Sequence, residues 1–303
     1  MHDAAGIGGV VGHSVREQHR YDFINPLLAC EFTDLKDSRY IAVENQARAY
    51  IKEALLAGRA SQVAFYIRGI GTGSWTGLNE NESFAPASLY KVPVLITYLK
   101  LAETFPDILG EKVVFSLPIR SDRQNIKPTE HLVTGAEYAI EELLRRMIVY
   151  SDNDASLFLL GHIDQKYFDE VFSDLGLVPP SVTDVAKNII TPKQYAFFLR
   201  ILYNASYLSR PASEKALKLL SETDFKDGIV AGIPADIAVA HKFGEFIDSG
   251  NGLISTIELH DCGIVYASQR YALCVMTRGK DIGDLEKIIA DISRIVYGQQ
   301  KAS

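Results

Sequence analysis

Strand-forming segments lie near both ends of this chain and are absent from its middle, and that placement limits the folds open to it. Residues 62–68 (Gln-Val-Ala-Phe-Tyr-Ile-Arg) are rich in β-branched and aromatic side chains. A turn carrying Gly69, Gly71 and Gly73 leads to a second short strand around 74–77, a hairpin signal. The next strand readings are 237–243, 263–267 and 271–277, the last two joined across Ser268-Gln269-Arg270. Between these groups, 104–224 reads as helices: 138–150, 152–162, one opened by Thr191-Pro192 and running through Leu202, and 213–220. Proline early in a helix is tolerated because its missing N–H has no intrahelical partner there. Helices are also predicted over 41–56, with Ala47, Ile51, Ala54 and Leu55 at helical spacing and Gly58 as a stop, over 88–103, and over 281–297. Strands from both ends must then share one sheet that helices cover. The expected fold is α/β in the α+β sense: an antiparallel sheet flanked by helices, with an inserted all-α domain. The expected division is an N-terminal extension at 1–39, a discontinuous sheet domain at 40–97 and 225–299, and an all-helical domain at 98–224.

Composition excludes several classes of function. With 31 Lys and Arg against 38 Asp and Glu the net charge is −7, which argues against nucleic acid, whose binding needs a basic face. No apolar run approaches the roughly 20 residues of a spanning helix. There is no CxxC or HExxH, and the seven His do not cluster, so neither a metal nor a cofactor is expected. Gly6-Ile7-Gly8-Gly9-Val10-Val11-Gly12 lacks the order of a dinucleotide loop and is too short for a signal-peptide core. Three cysteines are too few for a disulfide scaffold. Cys262 and Cys274 lie on neighbouring strand-like runs and can pair, but two buried free thiols are expected; Cys30 stands alone.

Three short elements carry chemistry. In Ser88-Leu89-Tyr90-Lys91, positions i and i+3 share a helix face, so Lys91 is expected to reach towards the Ser88 hydroxyl. A serine becomes a nucleophile when a base takes its proton, and a lysine of depressed pKa can do so. Ser151-Asp152-Asn153 lies between two predicted helices, and Lys242-Phe243-Gly244 lies on a strand. Taken singly, each has an ordinary structural reading. The first is a helix start, the second a cap, and the third an edge-strand lysine that deters aggregation.

Together, in this order and these contexts, they match the S-x-x-K, S-D-N and K-T-G signature. The chain resembles the class A β-lactamase and penicillin-binding-protein superfamily over roughly residues 40–299. Phe84-Ala85-Pro86-Ala87-Ser88-Leu89-Tyr90-Lys91-Val92, Ser151-Asp152-Asn153-Asp154-Ala155, and Ala231-Gly232-Ile233-Pro234 leading to Ala240-His241-Lys242 carry the likeness. The resemblance implies a β-lactamase/transpeptidase-like fold and a serine hydrolase. It implies Ser88 as acylated nucleophile, Lys91 as its base or part of the proton relay, Ser151 as proton shuttle to the leaving nitrogen, and Asn153 as a substrate-amide ligand. Lys242 would supply positive charge near Ser151 and the substrate carboxylate. Gly244 and Phe243 would border the substrate, and the backbone N–H groups of Ser88 and Glu245 would form the oxyanion hole. The implied partner is a small-molecule or peptide substrate, a β-lactam or a D-Ala-D-Ala-type peptide, met by a monomer outside the cytoplasm. No signal peptide is read in the chain itself, and 23–28 would belong to a stalk packing on the domain.

Two departures from the pattern matter. Class A β-lactamases activate the deacylating water with a Glu between the second and third motifs. Here 175–191 contains no Glu, and Asp184 is its only carboxylate. Phe243 replaces the hydroxyl residue of the third motif, or is a strand residue pointing into the core, the commoner fate of Phe, and Glu245 adds a negative charge close by. Slow deacylation is therefore expected. The alternatives are a true class A β-lactamase, a non-hydrolytic penicillin-binding sensor, and an esterase or amidase.

Overall fold

The computed structural model describes residues 14–16, 21–30, 40–120, 126–181, 188–248 and 256–302. Its centre is a five-stranded antiparallel sheet. The strands are β3 (Gln62–Gly69), β4 (Trp75–Leu78), β7 (Val239–Asp248), β8 (Thr256–Val265) and β9 (Tyr271–Gly279), in the order β4-β3-β9-β8-β7. Both chain ends thus build one sheet, and β7 is an edge strand. β1 (Ser14–Arg16) and β2 (Leu27–Cys30) form a separate antiparallel pair.

Each face of the sheet is buried. On one, Val63, Phe65, Ile67, Leu259, Leu273 and Val275 pack against α1 (Ile41–Leu56) and the C-terminal helix α8 (Ile282–Ala302). On the other, Ala64, Ala240, Cys262, Ile264, Cys274 and Met276 join a larger core with the inserted helices. These are α2 (Lys91–Thr104), α3 (Ile140–Val149), α4 (Asn153–His162), α5 (Gln165–Asp174), α6 (Pro192–Tyr203) and α7 (Arg210–Ser221). Burial on both faces explains why the strands read as apolar runs without alternation.

The structure revises several expectations. The 98–224 segment is not purely helical: β5 (Lys112–Val114) and β6 (Glu137–Ala139) pair in it, each too short to register as a strand in sequence. Helix α5 went unread. The helix predicted from 88 begins instead as a 3₁₀ turn over Ala87–Tyr90. β8 starts seven residues earlier than its predicted start at 263, because Glu258, His260 and Asp261 make its first half look like loop, yet all three are buried. Cys262 and Cys274 are not free thiols. They face each other across β8 and β9 with Cα atoms 3.9 Å apart and form a disulfide. Cross-strand register, invisible in sequence spacing, brings them together.

Part of the extension is tied down. The Glu214 carboxylate on α7 accepts hydrogen bonds from the N–H groups of Asp22, Phe23 and Ile24 at 2.9–3.1 Å. Asn25 N–H donates to Tyr203 O, and the Tyr266 hydroxyl donates to Phe23 O. Ile24 enters the larger core.

Candidate active site

Ser88 sits on the 3₁₀ turn that leads into α2. The residue before it, Ala87, has φ +48°, a left-handed conformation that costs a non-glycine residue free energy. Ser151, which precedes the helix α4, has φ +54°. Two such residues at the first two motifs are the kind of local strain that clusters where function dictates geometry.

The Lys91 amine joins these two motifs. Lys91 is the first residue of α2 and is 4% exposed. Its Nζ donates to Ser151 O at 2.6 Å, to Ser151 Oγ at 3.1 Å and to Asn153 Oδ1 at 2.6 Å. The hydrogen bonds of the Lys91 amine, expected to reach towards Ser88, run to the second motif. Burial pushes the Lys91 pKa down to about 7, against the pull of the carboxylates of Asp152, Asp154 and Glu245. A substantial fraction of this amine is therefore neutral near pH 7.

Asp152 has a structural task. Its Oδ1 caps α4 by accepting from Asp154 N–H at 2.8 Å and Ala155 N–H at 3.0 Å. Burial raises its pKa. The Asn153 carbonyl oxygen is engaged by Lys91; the donor end of this side chain is its amide N–H₂.

The third motif arrives on the edge strand β7, which packs on the Ser88 turn. A Cβ on Gly244 would lie 3.1 Å from Leu89 N and 3.2 Å from Pro86 O, so glycine is what allows this approach. Lys242 is fully buried; its Nζ donates to Phe243 O at 3.0 Å and lies 4.1 Å from the Phe243 ring centroid. Burial, with the nearby Lys91 charge, holds its pKa well below the ordinary lysine value. Phe243 is 3% exposed and packs on Phe225 with ring centroids 4.5 Å apart, as a core residue that borders Lys242 rather than an open substrate contact. Strand alternation sends its ring towards the α1 and α8 side of the sheet. The Glu245 carboxylate accepts from Ile126 N–H at 3.1 Å.

Other buried polar residues near the site had no sequence motif to mark them. His241 Nδ1 and Asp261 Oδ1 are 2.8 Å apart, and Asp261 Oδ2 accepts from Ile229 N–H at 2.8 Å. Glu258 and His260 contact the backbone of Ala85. The available signal was an acid and a histidine alternating with apolar residues in a stretch that proves to be strand.

Where 175–191 is described, Asn188 closes the segment on Ser181 through two side-chain bonds of 2.7 and 2.9 Å. Ile190 pairs with Phe84. Asp184 lies outside the described residues. Among the described residues no group of His, Cys, Asp and Glu is arranged to hold a metal.

Ser88, Lys91 and Ser151 thus stand together where the helical insert meets the Ser88 turn packed by the edge strand β7. The family model described as the beta-lactamase enzyme family matches residues 46–300, and the chain belongs to that family. No curated protein matches it. Similar solved structures include a beta-lactamase from Chitinophaga pinensis, 21% identical with TM-score 0.70 over 84% of this chain and 100% of that one. PBP-A is 20% identical with TM-score 0.69 over 89% and 100%. A class A beta-lactamase from Mycobacterium abscessus is 19% identical with TM-score 0.70 over 84% and 99%. At these identities the likeness establishes the fold.

Proposed function

We propose that the protein is an active-site-serine acyl-transfer enzyme, acylated at Ser88 by β-lactams or by D-Ala-D-Ala-type peptides and slow to deacylate. The observation that carries this reading is the buried Lys91 amine, neutral enough near pH 7 to accept a proton and hydrogen-bonded to Ser151. Ser88 Oγ attacks the carbonyl carbon while its proton passes to Lys91. The oxyanion is held by the N–H groups of Ser88 and Glu245, two donors of the kind whose individual loss costs roughly 3–4 kcal/mol. The C–N bond then breaks, the leaving nitrogen takes the Ser151 hydroxyl proton, and Lys91 returns one to Ser151. The Asn153 amide N–H₂ orients the substrate, and the Lys242 amine serves as a hydrogen-bond donor on the carboxylate side.

The sequence of 175–191 offers no Glu to activate a deacylating water. A structural relative, a point mutant of PBP-A, was solved as an acyl-enzyme complex with penicillin G. The disulfide favours an oxidising, extracytoplasmic location.

Nitrocefin kinetics with intact-mass spectrometry test the reading. A burst of about one equivalent, followed by slow turnover and a stable adduct on Ser88, is expected. Many fast turnovers would make the protein a true β-lactamase. Absence of an adduct would make it a non-acylating module.

A further inference from the structure

The nucleophile's turn is gripped from the sheet by two side chains of β8. The Glu258 Oε2 accepts from Ala85 N–H at 2.8 Å, and His260 Nε2 lies 2.9 Å from Ala85 O. His260 Nδ1 receives the Thr277 N–H at 3.4 Å, so the tautomer with its proton on Nε2 donates to Ala85 O. Both polar backbone groups of one residue, three positions before Ser88, are thus held by alternate residues on a single strand.

The grip is itself braced. Arg278 on β9 donates to Glu258 Oε1 through Nε at 2.7 Å, and its Nη2 lies 2.6 Å from the same oxygen. Arg278 Nη1 also donates to Gln62 Oε1 at 2.6 Å. The His260 ring meets Phe84 edge-on with centroids 5.3 Å apart. His260 is fully buried and Glu258 is 6% exposed. Directly across from His260, on the neighbouring strand β7, stands Gly244, where an added Cβ would meet Pro86 O and Leu89 N. The left-handed Ala87 lies between grip and nucleophile. A backbone strained at that residue keeps its geometry only where its surroundings over-determine it.

We infer that Glu258 and His260 are positioning residues for Ser88, fixing the Ala85 backbone so that the strained turn presents the Ser88 hydroxyl and N–H in reactive register. This rests on the proposed acylation at Ser88. Neither residue touches substrate; they act through the backbone of 85–88.

The test combines acylation kinetics with penicillin G, resolved into a saturating rate and a binding constant, and amide hydrogen exchange over 84–89. Misplacing a reacting group by about 1 Å costs on the order of 100-fold. Glu258→Ala should therefore lower the saturating rate by roughly that factor while the binding constant moves by less than about threefold. Glu258→Gln keeps an acceptor for Ala85 N–H and should restore most of the rate. The Ala85 amide should exchange at least about tenfold faster in Glu258→Ala than in the native protein. His260→Ala, which frees Ala85 O, should also slow acylation. Leu285→Ala, in the core on the other face of the sheet, serves as a control of matched or greater loss in melting temperature and should leave the saturating rate intact. Native rate and native exchange in Glu258→Ala would overturn the inference, as would an equal loss of rate in Leu285→Ala. A native protein inert to penicillin would refute the acylation reading instead, and exchange at Ala85 would then decide the grip alone.

Discussion

Lys91 shows how one side chain acquires its chemistry from burial. An exposed lysine stays protonated to about pH 10. This one is enclosed between α2 and the Ser151 turn, and desolvation lowers its pKa to about 7 despite three nearby carboxylates. In the proposed role of general base it must be unprotonated, so on that proposal the acylation rate should rise with pH and level off above about 7. A stopped-flow pH profile would reveal this; a flat profile across that range would remove Lys91 as the base. The linkage to stability has the same sign. Between about 7 and about 10 the unfolded chain binds more protons at this residue than the folded one, so its contribution to stability grows as pH rises through that window. Motif spacing identified Ser88, Lys91, Ser151, Asn153 and Lys242 as candidates. It did not disclose that Lys91 bonds to Ser151 and Asn153, and it left open whether Phe243 faces the substrate or the core, because both depend on how separate elements meet.

At the scale of elements, the β8–β9 pair bears most of the site's support. β8 carries Glu258 and His260 on one face and Asp261 on the other, and Cys262 is directly opposite both Lys242 on β7 and Cys274 on β9. The Cys262–Cys274 bridge spans 12 residues of sequence. Closing a loop of about 15 residues is worth about 3 kcal/mol in the chain-entropy model. The double variant Cys262→Ala/Cys274→Ala should accordingly lose about 2–3 kcal/mol in a urea denaturation series, with acylation retained. An unchanged midpoint would show that the bridge adds nothing. The predicted hairpin at 263–277 was legible from its apolar runs and turn. The polar first half of β8 was not, since only tertiary contacts explain why an acid and a histidine are buried there.

Across the whole molecule, the strap at 21–25 ties the helical insert to the sheet. Glu214 of α7 holds three successive backbone N–H groups, and Tyr266 near the β8–β9 turn holds the strap from the sheet side. Arg16 adds a second tie, with Nη1 donating to Asn204 Oδ1 at 3.1 Å and Nη2 to Ile70 O at 2.9 Å. Glu214→Ala strands three donors at once, and a loss of about 1–3 kcal/mol is expected for such a charged acceptor. Chemical denaturation reads it directly, and a change within about 0.5 kcal/mol would mean that water replaces the carboxylate without penalty.

Placement of strands at the two chain ends, helices between them and three ordered motifs determined the layered fold, the family resemblance and the five candidate catalytic and substrate-binding side chains, because hydrophobic period and residue spacing are local properties. Register, packing and burial decided the rest: the Cys262–Cys274 bond, the 3₁₀ turn beneath Ser88, the depressed Lys91 amine and the hold of β8 on Ala85. Each of these depends on residues distant in sequence, and desolvation and hydrogen-bond geometry exist only once the chain has brought them together.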